Sequence, residues 1–120
     1  MSYTDEAKRR IEGLHKFEAE IGDADLRDDA MFQKLFAEAR AYLEMSDQEI
    51  ADALSMSRPS VNRWANGRNL PHHAMRKYIF RWIAEQLAAK AKKLEGNVKR
   101  LAASYSEALQ AVPVAAKSYR

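Results

Sequence analysis

Apolar residues recur every three or four positions along most of the chain, and no β-branched run alternates with the period of two that a half-buried strand requires. Ala7, Ile11, Leu14, Phe17 and Ile21 mark a first helix, capped by Thr4 or Ser2, weakened by Gly13 and stopped by GDAD at 22–25. Phe32, Leu35, Phe36, Ala39 and Leu43 form the broad stripe of a second helix, which starts at Asp28 or Asp29 and ends near Glu44 to Ser46. Two short helices follow. Ser46, with Glu49 three residues on, has capping-box spacing and opens a helix through Leu54 whose inward residues are Ile50, Ala51 and Leu54. Ser57 opens the next, because Pro59 has no N–H to lose in a first turn; this helix runs to about Asn66, buries Val61 and Trp64, and stops at Gly67.

Pro71 sets up a further helix with Met75, Ile79, Trp82, Ile83 and Leu87 in its apolar series, continuing towards Leu94. Gly96 and Asn97 leave two outcomes open, a break or a strained continuation. Leu94, Val98, Leu101, Tyr105, Ala108 and Val112 then alternate spacings of four and three, a heptad-like seam weakened by its small alanines. Pro113 is expected to end it and VAAKSYR to fray. The expected fold class is all-α.

Length and composition narrow the classes. A chain of 120 residues holds one modest core, and the absence of Cys removes disulfides, thiolate metal sites and Cys nucleophiles. The start MSYTDEAKRR lacks the apolar segment of a signal peptide, and no apolar run approaches membrane-spanning length, so a cytoplasmic protein without membrane association is expected.

Charge changes the picture more. The formal total is only +3, but residues 1–52 carry 14 acids and 7 bases, whereas no Asp or Glu occurs from Ala53 through Ala84. Arg58, Arg63, Arg68, Arg76, Lys77 and Arg81 fall in that acid-free segment, and the chain from Glu85 onward adds a further +4. A single-sign segment on a small helical protein points to a polyanionic partner.

The segment QEIADALSMSRPSVNRWANGRNLP, Gln48 to Pro71, joins these two observations. With Ile50, Ala51, Leu54, Val61 and Trp64 turned inward and Met56 plugging the turn, Arg58, Ser60, Asn62, Arg63 and Asn66 are left on accessible faces of the second short helix. That donor and acceptor set suits base edges and phosphates: arginine forks onto guanine or phosphate, and an asparagine amide pairs with adenine. Gln48, near a helix start, can bond phosphate or brace a neighbour, while Arg68 and the bases of HHAMRKYIFR, Lys77 among them, are placed for the DNA backbone. Any of Arg76, Lys77 and Arg81 could touch phosphate or be merely solvated.

On those residues the chain resembles the Cro/C1-type, or XRE-like, helix-turn-helix family, over about Met31 to Trp82. The resemblance implies a compact bundle of about five helices, here with an extra N-terminal helix and a long C-terminal helical extension, binding double-stranded operator DNA as a homodimer. The chain divides into three parts: residues 1–27, an N-terminal helix and linker; 28–90, the DNA-binding domain; and 91–120, a C-terminal helical extension; the N-terminal helix and the Leu94 to Val112 seam are candidate dimer elements, or else both simply cover the central bundle. The resemblance favours a repressor among transcriptional regulators. Ser55 stands where the family often has Gly, and Ala65 and Asn66 replace a frequent Glu and its charged neighbour, so roles belonging to those side chains do not carry over.

A second class stays open: a protein-interaction or assembly module, such as an antitoxin or a phage or plasmid accessory factor, that keeps the helix-turn-helix shape and binds a protein partner. An enzyme is not expected. His72 and His73 are adjacent rather than spaced as ligands of one metal, His15 lies beside an apolar face, no Gly-rich phosphate loop occurs, and no cofactor or metal is implied.

Overall fold

The structure, a computed structural model, describes the backbone of residues 3–118 and the side chains of residues 4–110. The described residues form five helices and no strand: α1 (Tyr3–Asp23), α2 (Asp29–Leu43), α3 (Asp47–Leu54), α4 (Arg58–Ala65) and α5 (His73–Ser118). The all-α expectation therefore holds. Thr4 lies inside the first turn of α1 rather than capping it, and Ser2 is outside the described residues. Asp28, not Asp29, caps α2, its carboxylate accepting from the Met31 N–H at 3.1 Å.

The core is organised on α2. Phe32, Leu35, Phe36 and Ala39 are all buried, at the helical spacing that turns one stripe of the helix inward. Phe32 stacks with Phe36 and meets Phe80 of α5 edge-on, with ring centroids 5.4 Å apart. Phe36 in turn meets Trp64 of α4 edge-on at 5.8 Å, so two aromatic contacts tie α4 and α5 to the same face. Leu14, Phe17 and Ile21 of α1 close the cluster together with Ile83, Leu87 and Ala91 of α5. The N-terminal helix thus belongs to the common core. Its exposed rim adds polar ties, Arg10 to Glu44 and His15 to Glu95, each at 3.0 Å.

The last helix departs most from expectation. Gly96 and Asn97 cause no break, and the backbone runs as one helix of 46 residues past Pro113 to Ser118, so the proline does not end it and 114–118 are helical. A proline removes one N–H and crowds one carbonyl, but the bonds on either side remain available to an alanine-rich sequence. Val112, the last seam position, has its side chain outside the described set. At about 1.5 Å per residue such a helix is roughly 69 Å long, and it accounts for the 72 Å extent of the molecule. The radius of gyration of 20.2 Å exceeds the roughly 14 Å of a compact chain of this length for the same reason.

Among the described residues one charged side chain is buried. Arg76, 4 % exposed, donates from Nε to the Pro71 carbonyl at 2.9 Å and from Nη1 to the carbonyls of Leu26 and Arg27 at 2.9 and 3.3 Å. Its Nη2 pairs with Asp29 at 2.8 Å, and its guanidinium lies over the Phe32 ring, 5.1 Å from the centroid. Every face of the guanidinium is satisfied, as burial of a cation demands. Arg76 is therefore not available to phosphate, and the count of basic side chains facing solvent is smaller than the acid-free segment suggests.

Arg76→Met keeps the stem but leaves the carbonyls of Leu26, Arg27 and Pro71 without this donor; it should cost about 3–5 kcal/mol in urea unfolding. Asp29→Asn, at a side chain 73 % exposed, should cost less than about 1 kcal/mol in the same measurement.

Candidate nucleic-acid interface

The corner between α3 and α4 is built by local chemistry at each step. Ser46 accepts from the Glu49 N–H at 3.1 Å while Glu49 accepts from the Ser46 N–H at 3.0 Å, a complete capping box. The Ser46 backbone N–H, with its side chain, holds the Glu49 carboxyl below the ordinary glutamate range. At the other end Ser55 adopts the left-handed conformation (φ 56°), and Met56 N–H closes onto the Ala51 carbonyl at 2.8 Å. Ser57 then caps α4, accepting from Ser60 N–H at 3.3 Å, with Pro59 in the first turn.

Packing fixes which side of α4 faces out. Val61, Trp64 and Ala65 are buried, and Gln33 of α2 donates to the Ala65 carbonyl at 2.8 Å, satisfying the C-terminal end of the helix. Gly67 follows at φ 75°, where a β-carbon would be both strained and 3.3 Å from Gln33 Cγ. With that side committed, Arg58 and Arg63 flank the solvent face, and Pro59, Asn62 and Asn66 lie between them at helical spacing. The two arginines are separated by about 7.5 Å along the axis, roughly two base-pair steps.

The predicted contact residues divide into free and engaged groups. Among the described residues Arg58, Arg63, Arg68 and Lys77 are exposed and make no ion pair. Arg81 lies 4.0 Å from Glu85 one turn on. Arg58 and Arg63 share α4, and Arg68 lies in the loop just after it. Lys77 lies on the early turns of α5, lining a surface depression with Asp25, Arg27 and His73.

Gln48, Ser60, Asn62 and Asn66 are already bonded. Gln48 donates to Asp52 at 2.8 Å, and Ser60 Oγ shares a 2.8 Å bond with Ser57 Oγ. Asn62 donates to Asp47 at 3.0 Å and accepts from the Asn66 amide at 3.2 Å, so an adenine contact by Asn62 would have to exchange both bonds.

Two residues of this region were not singled out by sequence. Asp47 pairs with Arg40 at 2.6 Å while holding Asn62, and so bolts α3 and α4 to α2. Gln33 was an unremarkable polar position on α2, 32 residues from its partner Ala65. No local signal marks either, since both act across tertiary contacts. The Nδ1 of His72 accepts from the Ala74 N–H at 3.2 Å. The described residues place no three His, Asp or Glu side chains to share a metal ion, and no described helix is long and apolar enough to cross a membrane.

Comparisons of the chain with protein-family models, with curated proteins and with solved structures find no match.

Ser46→Ala should lower the melting temperature by a few degrees and raise the Glu49 titration, followed by NMR, towards the ordinary value of 4.5. Because folding makes Glu49 more acidic, the box contributes fully above that ordinary value and loses its contribution as pH falls through the lower, folded one. Ser55→Gly should stabilise by about 1 kcal/mol in denaturant unfolding, because glycine enters the left-handed region without a β-carbon clash.

Proposed function

We propose that this chain binds double-stranded DNA with sequence preference, inserting α4 into the major groove, and that it acts as a transcriptional regulator of the repressor kind. The observation that carries the proposal is the pair of exposed, unpaired arginines, Arg58 and Arg63, flanking the outer face of a short helix whose inner face is held by Val61, Trp64 and Ala65. Eight residues of helix measure about 12 Å, comparable with the width of the major groove. Held from behind on α2 and α3, the helix presents its side chains without a further ordering cost.

In this proposal Arg58 and Arg63 carry direct readout, each able to make two parallel bonds to guanine. Arg68 and Lys77 neutralise phosphates beside the groove and set position rather than preference. Gln48, Ser60, Asn62 and Asn66 lie on the same contact surface, and their existing bonds fix the angle at which α4 is offered. An operator covered in this way is closed to other proteins, which is the basis for repression.

Selection of duplexes from a random pool, followed by titration against shuffled sequence, tests the proposal. Arg58→Ala or Arg63→Ala should each lower the ratio of selected to shuffled affinity by roughly 5- to 150-fold. Arg68→Ala and Lys77→Ala should weaken both duplexes alike and reduce the slope of log affinity against log salt by about one. Equal affinity for every duplex would sink it. A stable protein complex with only weak, unselective DNA binding would instead point to an assembly module.

A further inference from the structure

Two residues run against the local preferences of the helices that hold them, and folding brings them to one place. Gly13 sits in the middle of α1, where glycine is a poorer helix former than alanine. A β-carbon on it would meet Tyr42 Cε1 at 3.9 Å, an ordinary contact, so packing within the chain does not require glycine there. Glu44 ends α2 in the left-handed region, at φ 55°, where glycine or asparagine is the usual residue. Departures of this kind gather at functional sites, because local preference is given up there for something else.

Both residues line a depression of about 470 Å³ between α1, the end of α2 and Lys90 of α5, a volume within the range of small-molecule sites. The Tyr42 ring beside Gly13 stacks on the buried Phe17, with centroids 4.5 Å apart, and is still 39 % exposed. Arg10 and Lys90 converge on the Glu44 carboxylate at 3.0 and 3.6 Å. Lys90 Nζ also donates to the Tyr42 carbonyl at 2.6 Å, which fixes the ammonium at the rim. Glu6 and Arg9 add one charge of each sign, so the lining carries a single positive charge in excess.

We propose that this depression binds a small aromatic carboxylate, one or two fused rings bearing a single negative charge. The ring lies against Tyr42, in the space that a side chain at position 13 would take, and aromatic contact favours it over an aliphatic group. The carboxylate joins Arg10 and Lys90, two cations that share one acid, and accepts charge-assisted bonds from both. Glu6 and Glu44 on the same rim oppose a ligand of higher negative charge, such as a nucleotide. None of these residues belongs to α4 or its surroundings, so the inference stands independently of the DNA proposal.

Titration of the full chain with β-naphthoate, followed by amide NMR, tests the assignment. Saturable shifts should centre on Gly13, Tyr42 and Lys90. The neutral β-naphthamide, which lacks the charge, and cyclohexanecarboxylate, which lacks the aromatic ring, should each bind about tenfold more weakly. Arg10→Gln should weaken β-naphthoate by about tenfold and leave the amide unaffected. Gly13→Leu should abolish binding by filling the depression, whereas Gly13→Ala should raise the melting temperature by a few degrees, since alanine is the better helix former. Absent or scattered shifts, equal affinity for β-naphthoate and β-naphthamide, or undiminished binding by Gly13→Leu or Arg10→Gln would overturn the proposal. So would a lower melting temperature for Gly13→Ala, which would make the glycine a requirement of packing.

Discussion

The Arg76 guanidinium is the contact through which the separate parts of this chain are registered. It reaches the α1–α2 linker through the carbonyls of Leu26 and Arg27, the start of α2 through Asp29 and Phe32, and the loop after α4 through Pro71. A cation removed from water needs partners for its donors, and here carbonyls from two segments remote in the chain and the Asp29 carboxylate supply them. Where α5 begins follows from it. The hydrophobic stripe of α2 supplies the larger part of the burial, but an apolar stripe tolerates small slides that a fully bonded guanidinium does not.

That registry positions the α3–α4 corner. Phe36 and Trp64 hold α4 against α2, and two polar ties set its rotation, Gln33 to the Ala65 carbonyl and Asp47 to Asn62. The division of labour among the basic residues is a consequence. Arg76 and Arg40 are drawn into the framework by Asp29 and Asp47, whereas Arg58, Arg63 and Arg68 make no ion pair among the described residues, the one acid that reaches α4, Asp47, being engaged by Arg40 and Asn62. Charge on this surface is thus produced as much by where the acids were placed as by where the bases were.

The helices themselves were largely legible, because each is announced by short-range chemistry: Asp28, Ser46 and Ser57 as caps, Pro59 in a first turn, and the inward series Ile50, Ala51, Leu54, Val61 and Trp64. Pro113 does not end α5 as expected, and Gly96 and Asn97 leave break and continuation both open. All three are local helix weakeners, and local rules alone cannot tell whether the turns on either side carry the helix through. In α5 they do. Arg76 was misread for the complementary reason: nothing in HHAMRKYIFR distinguishes it from Lys77, until folding turns one into the core and leaves the other in solvent.

By itself, then, the sequence determined the helical class, the capped corner and the identity of the outer face of α4, since all three depend on contacts within a few residues or on the 3.6-residue period. Only the tertiary structure decided which bases remain free, which amides are already bonded, and where the apolar series of α5 passes from core into solvent. Those outcomes turn on partners such as Leu26, Gln33 and Asp47, which are remote in the chain from the groups they satisfy. Burial and hydrogen-bond satisfaction are properties of the assembled surface, and a linear pattern does not contain them.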